Sequence, residues 1–114
     1  MKLALRYLGH RDGAALEERT DSAVSLEVGQ EVLVPSEGLV LGRSASTGLR
    51  VASARVARQH VRVVPLGDSL LVTDLGSTNG TQLRGSHASK GQLGVGDSLI
   101  LAGEFDFEVV ACDG

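Results

Sequence analysis

Hydrophobic and polar residues alternate with a period of two along most of this chain, the spacing that sends successive side chains to opposite faces of a β-strand. Leu3, Leu5 and Tyr7 share one face with Lys2 and Arg6 opposite, and Val24, Leu26 and Val28 alternate with Ser25 and Glu27. Gly29-Gln30 reads as a turn into Glu31-Val32-Leu33-Val34, and Pro35-Ser36-Glu37-Gly38 as a second turn before Leu39-Val40-Leu41. Val61 and Val63 flank Arg62, residues 70–75 form another short strand, and Leu99-Ile100-Leu101 is a run apolar enough to be buried. Phe105, Phe107 and Val109 then alternate with Asp106 and Glu108. Helical periodicity is confined to residues 13–22, which predict at most a short turn or helix. Asn79-Gly80 is the strongest turn signal and predicts a type I′ hairpin, returning through Thr81-Gln82-Leu83-Arg84 with Thr81 and Leu83 on one face. Many short strands separated by glycine-marked turns predict an all-β sandwich or barrel.

Composition sharpens this picture. With 114 residues the chain has room for one core, so a single domain over 1–114 is expected. Aromatic residues are 3% of the chain, and 17 Leu with 14 Val must supply most of the buried volume. The lone Cys112 excludes an internal disulfide, Lys2, Arg6, His10 and Arg11 break up any early apolar run, and no stretch is long enough to span a membrane, so a cytoplasmic location is expected.

The net charge of −3 argues against bulk nucleic-acid binding and is very unevenly spread. Residues 38–67 carry five arginines (43, 50, 55, 58 and 62) and no acid, inside an otherwise acidic protein. That segment reads either as a solvated strand-and-loop surface or as a local anion site.

The chemistry-bearing residues favour the second reading. His10, His60 and His87 lack metal-ligand spacing and a cysteine partner, so no metal is expected. Gly76-Ser77-Thr78-Asn79-Gly80 has Thr where a nucleophile elbow needs its nucleophile, and no helix follows it. Residues 85–91 lack a P-loop ending, and Gly94-Val95-Gly96 lacks the third glycine of a dinucleotide site. No Ser or Cys has an evident base partner, so neither an enzyme nor a cofactor is expected. What remains is a set of donors suited to a phosphate: Arg43 after Gly42 at a strand end, Arg55 and Arg58 before a strand, and Ser77, Thr78 and Asn79 in a glycine-rich turn. A phosphorylated side chain brings about −1.5 to −2 charges and three acceptor oxygens, which such donors match once loops at one end of a sandwich gather them.

Gly42-Arg43, then Arg55-Val56-Ala57-Arg58-Gln59-His60, then Leu75-Gly76-Ser77-Thr78-Asn79-Gly80-Thr81, with a later Leu93-Gly94-Val95-Gly96-Asp97, resemble the ordered motifs of forkhead-associated (FHA) domains. The core of the resemblance runs from about 39 to 110, with leading strands in 1–38. It implies an eleven-stranded β-sandwich of the FHA type whose loops at one end bind phosphothreonine-containing proteins or peptides in Ser/Thr phosphorylation signalling. Carried over by position, Arg43, Arg55 and Thr78 would contact the phosphate, with Arg58 and Ser77 as further phosphate contacts. Asn79 would hold the peptide backbone, and Gly42, His60 and Gly80 would brace the loops. Two positions depart from the family pattern: Ala57 stands where a phosphate-binding Ser is usual, and Arg84 where a loop-bracing Asn is common. They leave open a second reading, an FHA-fold module that binds partners or self-associates without phosphate.

Overall fold

The computed structural model describes residues 2–10, 27–44 and 47–112, with the backbone alone at His10. Among the described residues eleven strands run in chain order: β1 (Lys2–His10), β2 (Glu31–Leu33), β3 (Leu39–Gly42), β4 (Leu49–Arg50), β5 (Val61–Leu66), β6 (Ser69–Asp74), β7 (Thr81–Leu83), β8 (Ser86–His87), β9 (Lys90–Leu93), β10 (Ser98–Leu101) and β11 (Phe105–Cys112). They form a six-stranded sheet in the order β2-β1-β11-β10-β7-β8 and a five-stranded sheet in the order β4-β3-β5-β6-β9. All pairings are antiparallel except β3 with β4. This is the all-β, eleven-stranded sandwich that the alternation and the motifs predict.

The inward positions are those the period-two pattern selects. Leu3, Leu5 and Tyr7 on β1, Leu99 and Leu101 on β10, and Phe105, Phe107 and Val109 on β11 of the six-stranded sheet meet Leu39 and Leu41 on β3, Val61 and Val63 on β5, and Leu70 and Val72 on β6 of the five-stranded sheet in one core. Arg62, between Val61 and Val63, is exposed. The few aromatics are central: the Tyr7 and Phe107 rings lie 5.3 Å apart between centroids, on directly paired residues of β1 and β11.

Two local expectations change. Residues 24–26 and the helical stretch at 13–22 lie outside the described residues, and Val28 is in a turn, 67% exposed, rather than in a strand. Asn79-Gly80 does not close a hairpin. The segment after β6 crosses from the five-stranded to the six-stranded sheet, and of the pair only Gly80 has positive φ. The two-residue hairpin turn is instead Arg84-Gly85, joining β7 to β8 with φ of 52° and 84°, the type I′ pattern of two left-handed residues. Thr81 and Leu83 do share a buried face of β7.

The topology places the ends of β3, β6 and β10 and the starts of β5, β7 and β11 at one end of the sandwich. Residues 43–44 after β3 and the connections 51–60, 75–80 and 102–104 gather there. No helix among the described residues is long and apolar enough to cross a membrane.

Candidate functional site

The loops at this end are laced together by backbone groups. Gly42 closes β3 against the 51–60 connection: a Cβ there would sit 2.2 Å from the Arg58 carbonyl oxygen, so only glycine permits the approach. The Arg43 and Ser44 amides then donate to the carbonyls of Ala57 (2.9 Å) and Arg58 (3.1 Å). Arg43 also donates through its side-chain Nε to the Val56 carbonyl (3.0 Å). That bond uses the inner guanidinium nitrogen and leaves the two terminal ones for another acceptor.

His60 is fully buried and joins two loops. Its Nδ1 accepts from the Ala57 amide (3.1 Å), which sets the ring proton on Nε2, and Nε2 donates to the Gly80 carbonyl (2.8 Å). The same carbonyl accepts from the Ala102 amide (3.0 Å) of the β10–β11 turn, so both of its lone pairs are used. Asn79 donates from its side-chain amide to the Arg55 carbonyl (2.7 Å), a second tie between the 51–60 and 75–80 connections.

The 75–80 loop is ordered from within by Asp74, which sequence reasoning passed over. Its Oδ1 accepts from the Gly76 and Ser77 amides (2.8 and 2.7 Å), and its Oδ2 from the Ser77 and Thr81 hydroxyls (both 2.6 Å). Partial burial pushes the carboxyl pKa up, but the hydroxyls of Ser77 and Thr81 and the two amides outweigh it and hold the pKa below the ordinary aspartate value. An Asp at a strand end followed by Gly and Ser is the available signal, because such an Asp caps the turn it begins.

These bonds sort the expected site residues. Arg43, Arg55, Arg58, Thr78 and Asn79 all lie exposed on loops at this one end. Among the described residues the Thr78 hydroxyl and the Arg58 guanidinium have no protein partner. Ser77 is committed inside the loop, since its hydroxyl donates to Asp74 and accepts from the Gly80 amide (3.1 Å). Arg55 is 57% exposed but its Nε lies 2.8 Å from the Glu104 carboxylate, an acid in the β10–β11 turn that sequence reasoning also passed over. Beside the loop an open surface depression of about 400 Å³ is lined by Asp74, Ser77, Gly80, Thr81, His87, Ala88 and Ser89. Among the described residues no three His, Cys, Asp or Glu side chains stand together to hold a metal.

A family model described as the FHA domain matches residues 39–102. A search of curated proteins finds no match. Similar solved structures include an FHA domain from a structural and functional study of phosphothreonine-dependent FHA interactions, with TM-score 0.74 and 22% identity over the whole of both chains. The FHA domain of the CT664 protein from Chlamydia trachomatis has TM-score 0.74 and 18% identity over 98% of this chain and 99% of its own. Mycobacterium tuberculosis EmbR, solved in complex with a low-affinity phosphopeptide, has TM-score 0.71 and 19% identity over 99% of this chain but 26% of its own.

Proposed function

This chain belongs to the FHA domain family, and from that premise we propose that it is a phosphothreonine-dependent peptide-binding module with its site on the loops of Arg43, Arg58, Thr78 and Asn79. The observation that carries this reading is the distribution of donors left after the loops have bonded to one another. The terminal nitrogens of Arg43, the whole Arg58 guanidinium and the Thr78 hydroxyl remain, on three segments held together by backbone hydrogen bonds. A dianionic phosphate with three acceptor oxygens is the group those donors suit. In this reading Arg43 and Arg58 supply the paired charge, Thr78 a hydroxyl donor, and Asn79 the link to the ligand backbone. Gly42, His60 and Gly80 keep the loops in register. Arg55 joins only by releasing Glu104. Ser77 acts through Asp74, as a positioning residue for Thr78 and Asn79. The work such a site does is recognition, and a protein phosphorylated on threonine is the partner.

The second reading, association without phosphate, draws on Ala57 and on the Arg55–Glu104 pair, which between them take one hydroxyl and one cation out of the site. One experiment separates the two. A degenerate phosphothreonine peptide library and its unphosphorylated counterpart are titrated against the wild type, Arg43→Ala and Arg62→Ala. The expected result is binding of the phosphorylated pool alone. Arg43→Ala should lose about tenfold to a hundredfold, the effect of roughly 1.5–3 kcal/mol for a charge-assisted hydrogen bond. Arg62→Ala removes the same charge from the outer face of β5 and should lose less than about twofold. Equal losses would mean diffuse attraction rather than a site, and equal binding of both pools would select the second reading.

A further inference from the structure

The segments that meet at the loop end carry three arginines, Arg43, Arg55 and Arg58, and a single acid. Across residues 43–44, 51–60, 75–80 and 102–104 that acid is Glu104. Its side chain is 20% exposed and its carboxylate lies 2.8 Å from the Arg55 Nε. The turn that presents it is tight. Ala102 and Gly103 both have positive φ, 57° and 70°, and the Glu104 amide donates to the Leu101 carbonyl (3.0 Å). A left-handed backbone is disfavoured for any residue with a Cβ, so an alanine stays there only when its surroundings hold it. One such hold is the bond from the Ala102 amide to the Gly80 carbonyl (3.0 Å). On the other side, the Asn79 side chain donates to the Arg55 carbonyl (2.7 Å). The ion pair and the proposed phosphate site therefore share the Asn79-Gly80 segment. Arg55 is tied to the first of these residues, and the turn that carries Glu104 to the second.

An acid among the donors of an anion site works against them. It lowers the local positive potential and neutralises the cation it touches. For Arg55 a carboxylate and a phosphate are rival acceptors of one kind, and the phosphate has the greater charge and one more oxygen. We propose that Glu104 is a built-in competitor of the ligand: in the free protein its carboxylate occupies Arg55, and phosphothreonine binding exchanges that carboxylate for the phosphate. The exchange keeps affinity below the level that three unopposed arginines would give, and it couples ligand binding to the β10–β11 turn. The inference rests on the phosphothreonine reading above and concerns the regulation of that same site.

The test uses the whole chain with the phosphothreonine pool of the library above and its unphosphorylated counterpart. Affinities are measured by calorimetry for the wild type, Glu104→Gln, Arg55→Ala and the double variant. Glutamine keeps the shape and polarity of the side chain and removes its charge. Glu104→Gln should bind the phosphorylated pool about three- to tenfold more tightly and the plain pool no differently. In the Arg55→Ala background the same substitution should change affinity by less than about twofold, because the cation it would release is gone. The wild type gives a second readout that needs no change at Glu104. The nitrogen–proton NMR signal of the Arg55 Nε, identified by its loss in Arg55→Ala, should move on saturation with the phosphorylated pool and stay in place with the plain one. A gain of equal size in both backgrounds would mean general relief of repulsion and overturns the exchange. So does a Glu104→Gln variant that prefers the phosphorylated pool with wild-type affinity, or an Arg55 Nε signal that this pool leaves unmoved. A lack of preference for the phosphorylated pool in both the wild type and Glu104→Gln removes the phosphothreonine reading, and the competitor with it.

Discussion

Residue 57 shows how much a site can owe to the backbone of one position. Its carbonyl accepts from the Arg43 amide and its amide donates to His60, so both polar backbone groups are committed and the direction of its Cβ is set. The side chain there is a methyl group, half-buried. A hydroxyl added at that Cβ would enter beside loops already in register, with no repacking of the aliphatic core. Ala57→Ser should therefore tighten phosphothreonine binding by roughly tenfold, about 1.4 kcal/mol, and leave the unphosphorylated peptide unaffected, because only the phosphate offers a strong acceptor. The gain should shrink in an Arg43→Ala background, since both groups serve one ligand atom set and are not additive. Calorimetry on the four variants with both peptides checks this. No gain would mean that the phosphate does not sit beside residue 57. At this scale the sequence is legible for residue types and silent on their prior commitments. Thr78 and Ser77 are adjacent hydroxyls in one turn, yet one is free and the other bonded to Asp74 and Gly80.

At the level of elements, alternation identifies the long strands because burial on one face is a local property of each. β4 and β8 have two residues each and carry no readable period; pairing with a neighbour creates them. The Asn79-Gly80 turn was misplaced for a related reason. A turn preference does not say whether the chain returns to its own sheet or crosses to the other, and here Asp74 decides by capping the loop from its first residue. The true hairpin turn puts Arg84 at φ 52°, a conformation that Asn or Gly tolerates better, which is why this arginine gave no turn signal. The Asp74 cap has a pH consequence. Its native pKa is depressed relative to the unfolded chain, so its stabilisation is complete above the ordinary aspartate pKa and is lost as pH falls through the lower native value. Asp74→Asn should cost about 1–3 kcal/mol at neutral pH and weaken phosphopeptide binding by loosening Thr78 and Asn79. It should also flatten the fall in stability as pH drops below the ordinary aspartate value of about 4. Urea midpoints measured across that range for both proteins test this, and an unchanged acid limb would assign the acid sensitivity to other carboxylates.

The molecule as a whole is two sheets closed over one aliphatic core, and at the loop end they are also joined by polar groups. His60 immediately precedes β5 of the five-stranded sheet, and Gly80 immediately precedes β7 of the six-stranded sheet. The His60 ring spans the gap between them, and through the Gly80 carbonyl it reaches the amide of Ala102 after β10. The same ring holds the Ala57 amide, so one buried side chain links the integrity of the sandwich to the register of the candidate site. Cutting that link should therefore move folding and binding together, although His60 is fully buried and is assigned no contact with ligand. In His60→Ala the Ala57 amide loses its acceptor, the Gly80 carbonyl loses one donor, and a ring-sized void opens. The expected cost is about 2–4 kcal/mol, from cavity formation and an unsatisfied buried amide. The urea midpoint should drop with no change in slope, because the fold and the surface it exposes on unfolding stay the same. Phosphopeptide affinity should fall as well at a temperature where the variant is still folded, since the ligand must then order loops that the wild type holds in place. A variant that loses stability but binds with wild-type affinity would show that Asp74 and the Arg43–Ala57 backbone bond suffice to shape the site. The two sheets would then be coupled through the core alone.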